Sequence, residues 1–107
     1  MPINYTSTQT ANVTTITTVY NPTTSGVQAT MTGCLLANTT SSVVTASVTL
    51  TNAAATVTTN IIKNVTISVG NSLDVIGASR INVPVNCTVK VVSSGATDVT
   101  VSAVEVS

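Results

Sequence analysis

The stretch VVTASVTL, Val43–Leu50, alternates between apolar and polar side chains. From residue 44 onward its even-numbered residues are Val, Ala, Val and Leu, and its odd-numbered residues are Thr and Ser. A period of two is typical of a β-strand that buries one face and exposes the other. The stretch therefore predicts a strand with half of its side chains in a core.

The same preference for extended backbone runs through the whole chain. Of its 107 residues, 49 are Val, Ile or Thr, whose branched Cβ atoms favour strands and disfavour helices. Turn residues divide the chain into short apolar segments, which is the pattern of a two-sheet β-sandwich of seven to eight strands. A closed barrel is the alternative. The predicted strands are Val13–Tyr20, Val27–Leu36, Val43–Leu50, Thr56–Ile67, Ser72–Ile76, Ile81–Val83, Cys87–Val92 and Asp98–Val106.

The first eleven residues, MPINYTSTQTA, carry few large apolar side chains. Ordering one residue costs roughly 1–2 kcal/mol of backbone entropy, and burial of Ile3 and Tyr5 returns only about 2–3 kcal/mol each. We therefore expect residues 1–11 to form an N-terminal arm that is ordered only where another chain binds it, ahead of a sandwich domain at 12–107. Ile3 and Tyr5 are its candidate interface residues.

Charge is scarce in this sequence. Three basic and three acidic residues make up 6% of the chain, compared with about 25% in ordinary proteins. A surface of neutral Thr, Ser and Asn gives little protection against association, and charged residues are depleted at interface cores. We expect a homo-oligomer, a trimer or a ring; the alternative is a Thr-rich secreted or surface domain. A third candidate interface residue is Ile62. If the alternation is strict, its side chain points away from the face that carries Ile61 and Val65.

Several functional classes are disfavoured by composition. The chain has no His, so it cannot form a Ser-His-Asp or Cys-His catalytic arrangement. Balanced charge is not the footprint of a nucleic-acid binder. No apolar run reaches the length of a membrane-spanning helix, and residues 1–11 lack the features of a signal peptide. We expect no enzymatic activity, no cofactor, no metal, no nucleic acid and no membrane partner.

Three different stretches, each combining strand and turn residues, follow one another along the chain: NTTSSVVTASVTLTN at Asn38–Asn52, IIKNVTISVGNSLDVI at Ile61–Ile76, and NCTVKVVSSGATDVTVSAVEV at Asn86–Val106. In this order they resemble small virion structural proteins of tailed bacteriophages. The resemblance implies an Ig-like β-sandwich that serves as a non-enzymatic building block.

Within a phage particle, a small neutral sandwich suits a capsid decoration (cement) protein that binds the major capsid protein at capsomer junctions. It would be located in the virion, assembled in the host cytoplasm. The alternatives are a tail, baseplate or fibre-associated virion protein, or a bacterial surface adhesion or pilus domain.

The two cysteines, Cys34 and Cys87, lie on two different predicted strands. A disulfide between the sheets and a pair of buried thiols both fit this placement. Because phage particles assemble in a reducing cytoplasm, we predict free thiols.

Overall fold

A computed structural model describes residues 3–76 and 80–107 of the chain, and in this part the chain forms strands and no helix. The strands are β1 (Ile3–Val13), β2 (Thr17–Tyr20), β3 (Gln28–Asn38), β4 (Val44–Thr51), β5 (Thr58–Ile67), β6 (Ser72–Asp74), β7 (Ile81–Val83), β8 (Thr88–Ser93) and β9 (Thr97–Val106).

Two antiparallel sheets pack face to face. The first, sheet A, has the order β1-β9-β3, and β6 and β7 both pair with the far edge of β3. The second, sheet B, has the order β2-β8-β4-β5. The predicted all-β, two-sheet sandwich is confirmed.

The strand order follows from a simple rule, in which strands near the two ends of the chain pair with each other and strands nearer the middle pair in turn. With β6 and β7 counted as one interrupted strand, the first strand pairs with the last (β1·β9), the second with the next to last (β2·β8), and so on to β4·β5. When this ribbon rolls up, β9 also meets β3 and β8 also meets β4, which gives a jelly roll. An Ig-like sandwich keeps its first two strands in one sheet, whereas β1 and β2 lie in different sheets here.

The core lies between the inner faces of the two sheets and contains almost no aromatic side chain. Along β9, Val99, Val101 and Ala103 are buried, as the period of two requires. Most of the core's side chains are small, and Met31 and Leu36 of β3 are among the largest that are fully buried. The predicted inward face of β4 is also observed, with Val48 fully buried.

A bulge in β5 changes which face Ile62 occupies. The backbone at Asn64 has a φ of +52°, and its N–H donates to the Ser47 hydroxyl at 2.9 Å. The ladder between β4 and β5 shifts its register here, so that Ile62 lies opposite the buried Val48. Opposed residues share a face, and Ile62 packs half-buried against the core. The prediction that Ile62 points outward is wrong; its contact with a partner stays a prediction.

The structure also corrects the expectation of an unpaired arm. From Ile3 opposite Val106 to Thr10 opposite Val99, β1 runs antiparallel to β9 without a break in register. The backbone of β9 supplies the stabilising hydrogen bonds, which an estimate from side-chain burial alone leaves out. The predicted boundary between residues 11 and 12 falls inside β1. Residues 1 and 2 lie outside the described residues.

Asn38 joins the two sheets at one end of the sandwich. Its buried Nδ2 donates to the carbonyl oxygens of Ser42 at 2.8 Å and Ile67 at 3.1 Å, and its Oδ1 accepts from the Thr40 N–H at 2.9 Å. These bonds fix a connection that passes from β3 in sheet A to β4 in sheet B. The stretch Asn38–Ser42 is therefore a crossing between the two sheets.

A second polar link joins the sheets near the end of β9. The Tyr20 hydroxyl of β2 donates to Glu105 Oε2 of β9 at 2.5 Å. Tyr20 is buried, and this desolvation, followed by the hydrogen bond to Glu105, raises the pKa of its phenol well above the ordinary value of 10.0.

We predict that Tyr20→Phe lowers the free energy of unfolding by about 1–2 kcal/mol, because it removes a partly buried hydrogen bond to a carboxylate. A raised folded-state pKa contributes stability that is complete below the unfolded value near 10 and is lost as pH rises above it. The difference in the free energy of unfolding between the wild-type protein and Tyr20→Phe should therefore shrink above about pH 10. Urea unfolding at several pH values measures it. Tyr5→Phe is the matched control, because Tyr5 is 83% exposed and should not change stability.

A second prediction concerns the turn between β8 and β9. A Cβ atom on Gly95 would lie 2.7 Å from Val44 Cγ1, and Val44 is buried in the core. Gly95→Ala should therefore destabilise the fold by about 1–3 kcal/mol through overpacking. At Gly33 the added Cβ would meet Ser102 Cβ at 3.7 Å, an ordinary contact. Gly33→Ala should change stability by less than about 1 kcal/mol. Equal losses in thermal or urea unfolding would contradict this explanation.

Candidate interaction surface

One end of the outer face of sheet A carries a group of exposed apolar side chains. The register sets Ile3 beside Val106 and Tyr5 beside Val104. We call these four residues the apolar patch. Ile3 is 57% and Tyr5 83% exposed, and the two valines are half-buried.

The apolar patch forms most of a shallow, open hollow of about 360 Å³. The lining residues are Ile3, Tyr5, Thr30, Thr32, Arg80, Val104 and Val106. Contiguous exposed apolar groups with a polar rim are typical of protein interaction sites, and Tyr and Arg are enriched in such sites. The hollow offers an aromatic ring, aliphatic surface, hydroxyls and one cation. This chemistry suits binding to another macromolecular surface.

Two of the three predicted interface residues come together here. Ile3 and Tyr5 lie in the apolar patch, whereas Ile62 lies in β5 of sheet B. Val104 and Val106 were not among the predicted interface residues. Their signal was the alternation of β9: once Val101 is placed in the core, the even-numbered residues 104 and 106 must face outward.

Both thiols lie in the interior of the sandwich. Cys34 in β3 and Cys87 just before β8 are both buried and unbridged. Burial raises the pKa of the Cys34 thiol to about 12, and the charge of Asp74 adds to the rise. Since the thiolate is the nucleophilic form, Cys34 is a structural residue rather than a reactive one.

Other kinds of site find little support among the described residues. No group of three or more Cys, Asp or Glu side chains in residues 3–76 and 80–107 is arranged to hold a metal ion. Over the same residues there is no helix with the length and apolarity needed to cross a bilayer. No protein-family model, curated protein or solved structure matches the chain.

We predict that the native protein resists alkylation by iodoacetamide, because both thiols are buried and the Cys34 pKa is high. After denaturation without reductant, intact mass should show the addition of two carbamidomethyl groups. The same preparation denatured with reductant is the control for reagent activity, because both thiols are then free and accessible. A denatured protein that gains no group would show that Cys34 and Cys87 are bridged.

Proposed function

We propose that the chain is a non-enzymatic structural protein of a bacteriophage particle, and specifically a capsid decoration (cement) protein. The observation that carries the proposal is the apolar patch on a molecule with only six charged residues. A surface of this kind binds through shape, apolar contact and hydrogen bonds rather than through ion pairs.

The physical setting of a capsid suits weak contacts. A lattice presents many equivalent sites, so contacts that are individually weak add up when copies are linked. Depletion of charge lowers the desolvation cost of each contact, since buried charges must be paired or neutralised. The jelly-roll order supports the proposal, because jelly rolls occur in viral capsid proteins. They also occur in lectins, so the fold by itself does not determine function.

The proposed partners are the major capsid protein or other virion proteins, together with further copies of the chain. A trimer or a ring over capsomer junctions stays the predicted oligomer. The proposal places the protein in the virion and gives it no cofactor.

The decisive experiment locates the protein in purified particles of the phage whose genome encodes it. A cryo-EM map with the sandwich repeated over capsomer junctions is the expected result. Density in the tail or baseplate would replace the capsid role by a tail role. Particles that lack the protein would overturn the proposal, and glycan-array binding would then test an adhesion role.

We predict that Ile3→Ser and Tyr5→Ser lower the occupancy of the protein on particles at least about threefold each, because each removes exposed apolar area from the proposed contact. Val43→Ser is the matched control, since Val43 is 57% exposed, as Ile3 is, but follows Asn38–Ser42 at the opposite end of the sandwich. Occupancy is measured by quantitative mass spectrometry of gradient-purified particles. All three variants should keep the wild-type melting temperature within about 2 °C, since surface changes rarely alter stability. An equal loss with Val43→Ser would show that attachment does not use the apolar patch.

A further inference from the structure

The outer sheet edges of this molecule differ in how they are protected. An unpaired strand edge exposes N–H and C=O groups that can pair with another chain, and proteins protect edges with short strands, Lys residues or bulges. In sheet B, β2 has four residues, and β5 carries the exposed Lys63 beside the bulge at Asn64. On the far side of sheet A, β6 and β7 have three residues each. These edges are all protected.

The edge of β1 has none of these protections over most of its length. It is an 11-residue strand without a charged side chain. Its register with β9 is unbroken over eight consecutive pairs, from Ile3 to Thr10, and shifts only beyond that, near Asn12. Within the part of the chain that the structure describes, no strand pairs with the opposite edge of β1. A regular, neutral row of backbone donors and acceptors is left open.

We infer that this edge pairs with the β1 edge of a second copy of the chain, antiparallel and across a two-fold axis, so that two A sheets form one continuous sheet. Like charges on directly opposed strands destabilise a pairing, and β1 brings none to meet its own copy. A two-fold contact uses the same patch twice and closes on itself, so it forms a dimer of the free chain through a contact distinct from those of the trimer or ring proposed for the particle.

With the axis near the middle of the regular stretch, at Thr6 or Ser7, the two β1 strands pair over the greatest length, so this is where we place it. An axis perpendicular to the sheet keeps the outward faces of both copies on one side. Ser7 and Gln9 then lie near the junction on the outer face, and both are exposed. The inference does not rest on the proposed function, because the edge belongs to the free chain.

The test measures self-association of the purified full-length chain by sedimentation velocity. Ser7→Lys/Gln9→Lys adds two cations per copy at the open edge, so that four meet at the junction. It should weaken the dimer about tenfold or more. The matched control is Ser102→Lys/Thr100→Lys. Ser102 and Thr100 are the register partners of Ser7 and Gln9 on β9, whose two edges are already paired. This control adds the same charge to the same face and should leave the dissociation constant within about twofold of the wild-type value.

Circular dichroism melting establishes that both variants are folded. Amide hydrogen exchange supplies a second measurement: alternate amides of β1 should exchange more slowly as wild-type concentration rises, whereas those of β5 should not change. A wild-type chain that stays monomeric up to millimolar concentration would overturn the inference. A dimer that both double variants weaken equally would also overturn it, because that result would indicate face-to-face association. A dimer that neither double variant weakens would overturn it as well. Loss of particle binding without a change in dimerisation would leave this inference standing and concern the proposed function alone.

Discussion

The position of β9 is the constraint on which the rest of the sandwich depends. The last strand of the chain lies between β1 and β3, so the two ends of the sequence must meet before sheet A can form. Pairings between residues so far apart in sequence require a large loss of chain entropy before any contact forms, which slows folding. Before β9 pairs with β1 and β3 during folding, the uncharged edges of these two strands are exposed to other chains.

Most strands were predicted from the sequence because their signal is local, although the predicted strand Val13–Tyr20 is divided between the last residue of β1 and β2. The alternation in Val43–Leu50 placed β4 and its buried face correctly, and Ile81–Val83 matches β7 residue for residue. The face of Ile62 was mispredicted because a bulge depends on one left-handed residue, Asn64, which the apolar pattern does not mark. The jelly-roll order was missed because sheet order is decided by pairings across the whole chain.

Part of the candidate site was predictable, because part of its signal is local in the sequence. Ile3 and Tyr5 stood out as the large apolar side chains of a polar segment, and their exposure in the fold agrees with that. The segment itself was predicted to be unpaired, because side-chain burial says nothing about backbone hydrogen bonds with a distant strand. Val104 and Val106 join the apolar patch only through the register of β1 with β9, which no local pattern contains.

One strand thus contributes to two surfaces of different chemistry. The side chains of Ile3 and Tyr5 project from the outer face of sheet A, whereas the open hydrogen-bonding groups of β1 lie in the plane of the sheet. The two directions are nearly perpendicular, so one partner can cover the apolar patch while another pairs with the edge. Because neither proposed contact needs charged residues, both should tolerate high salt better than ion-paired contacts do. A protein that must bind a large surface and its own neighbours at once benefits from this separation.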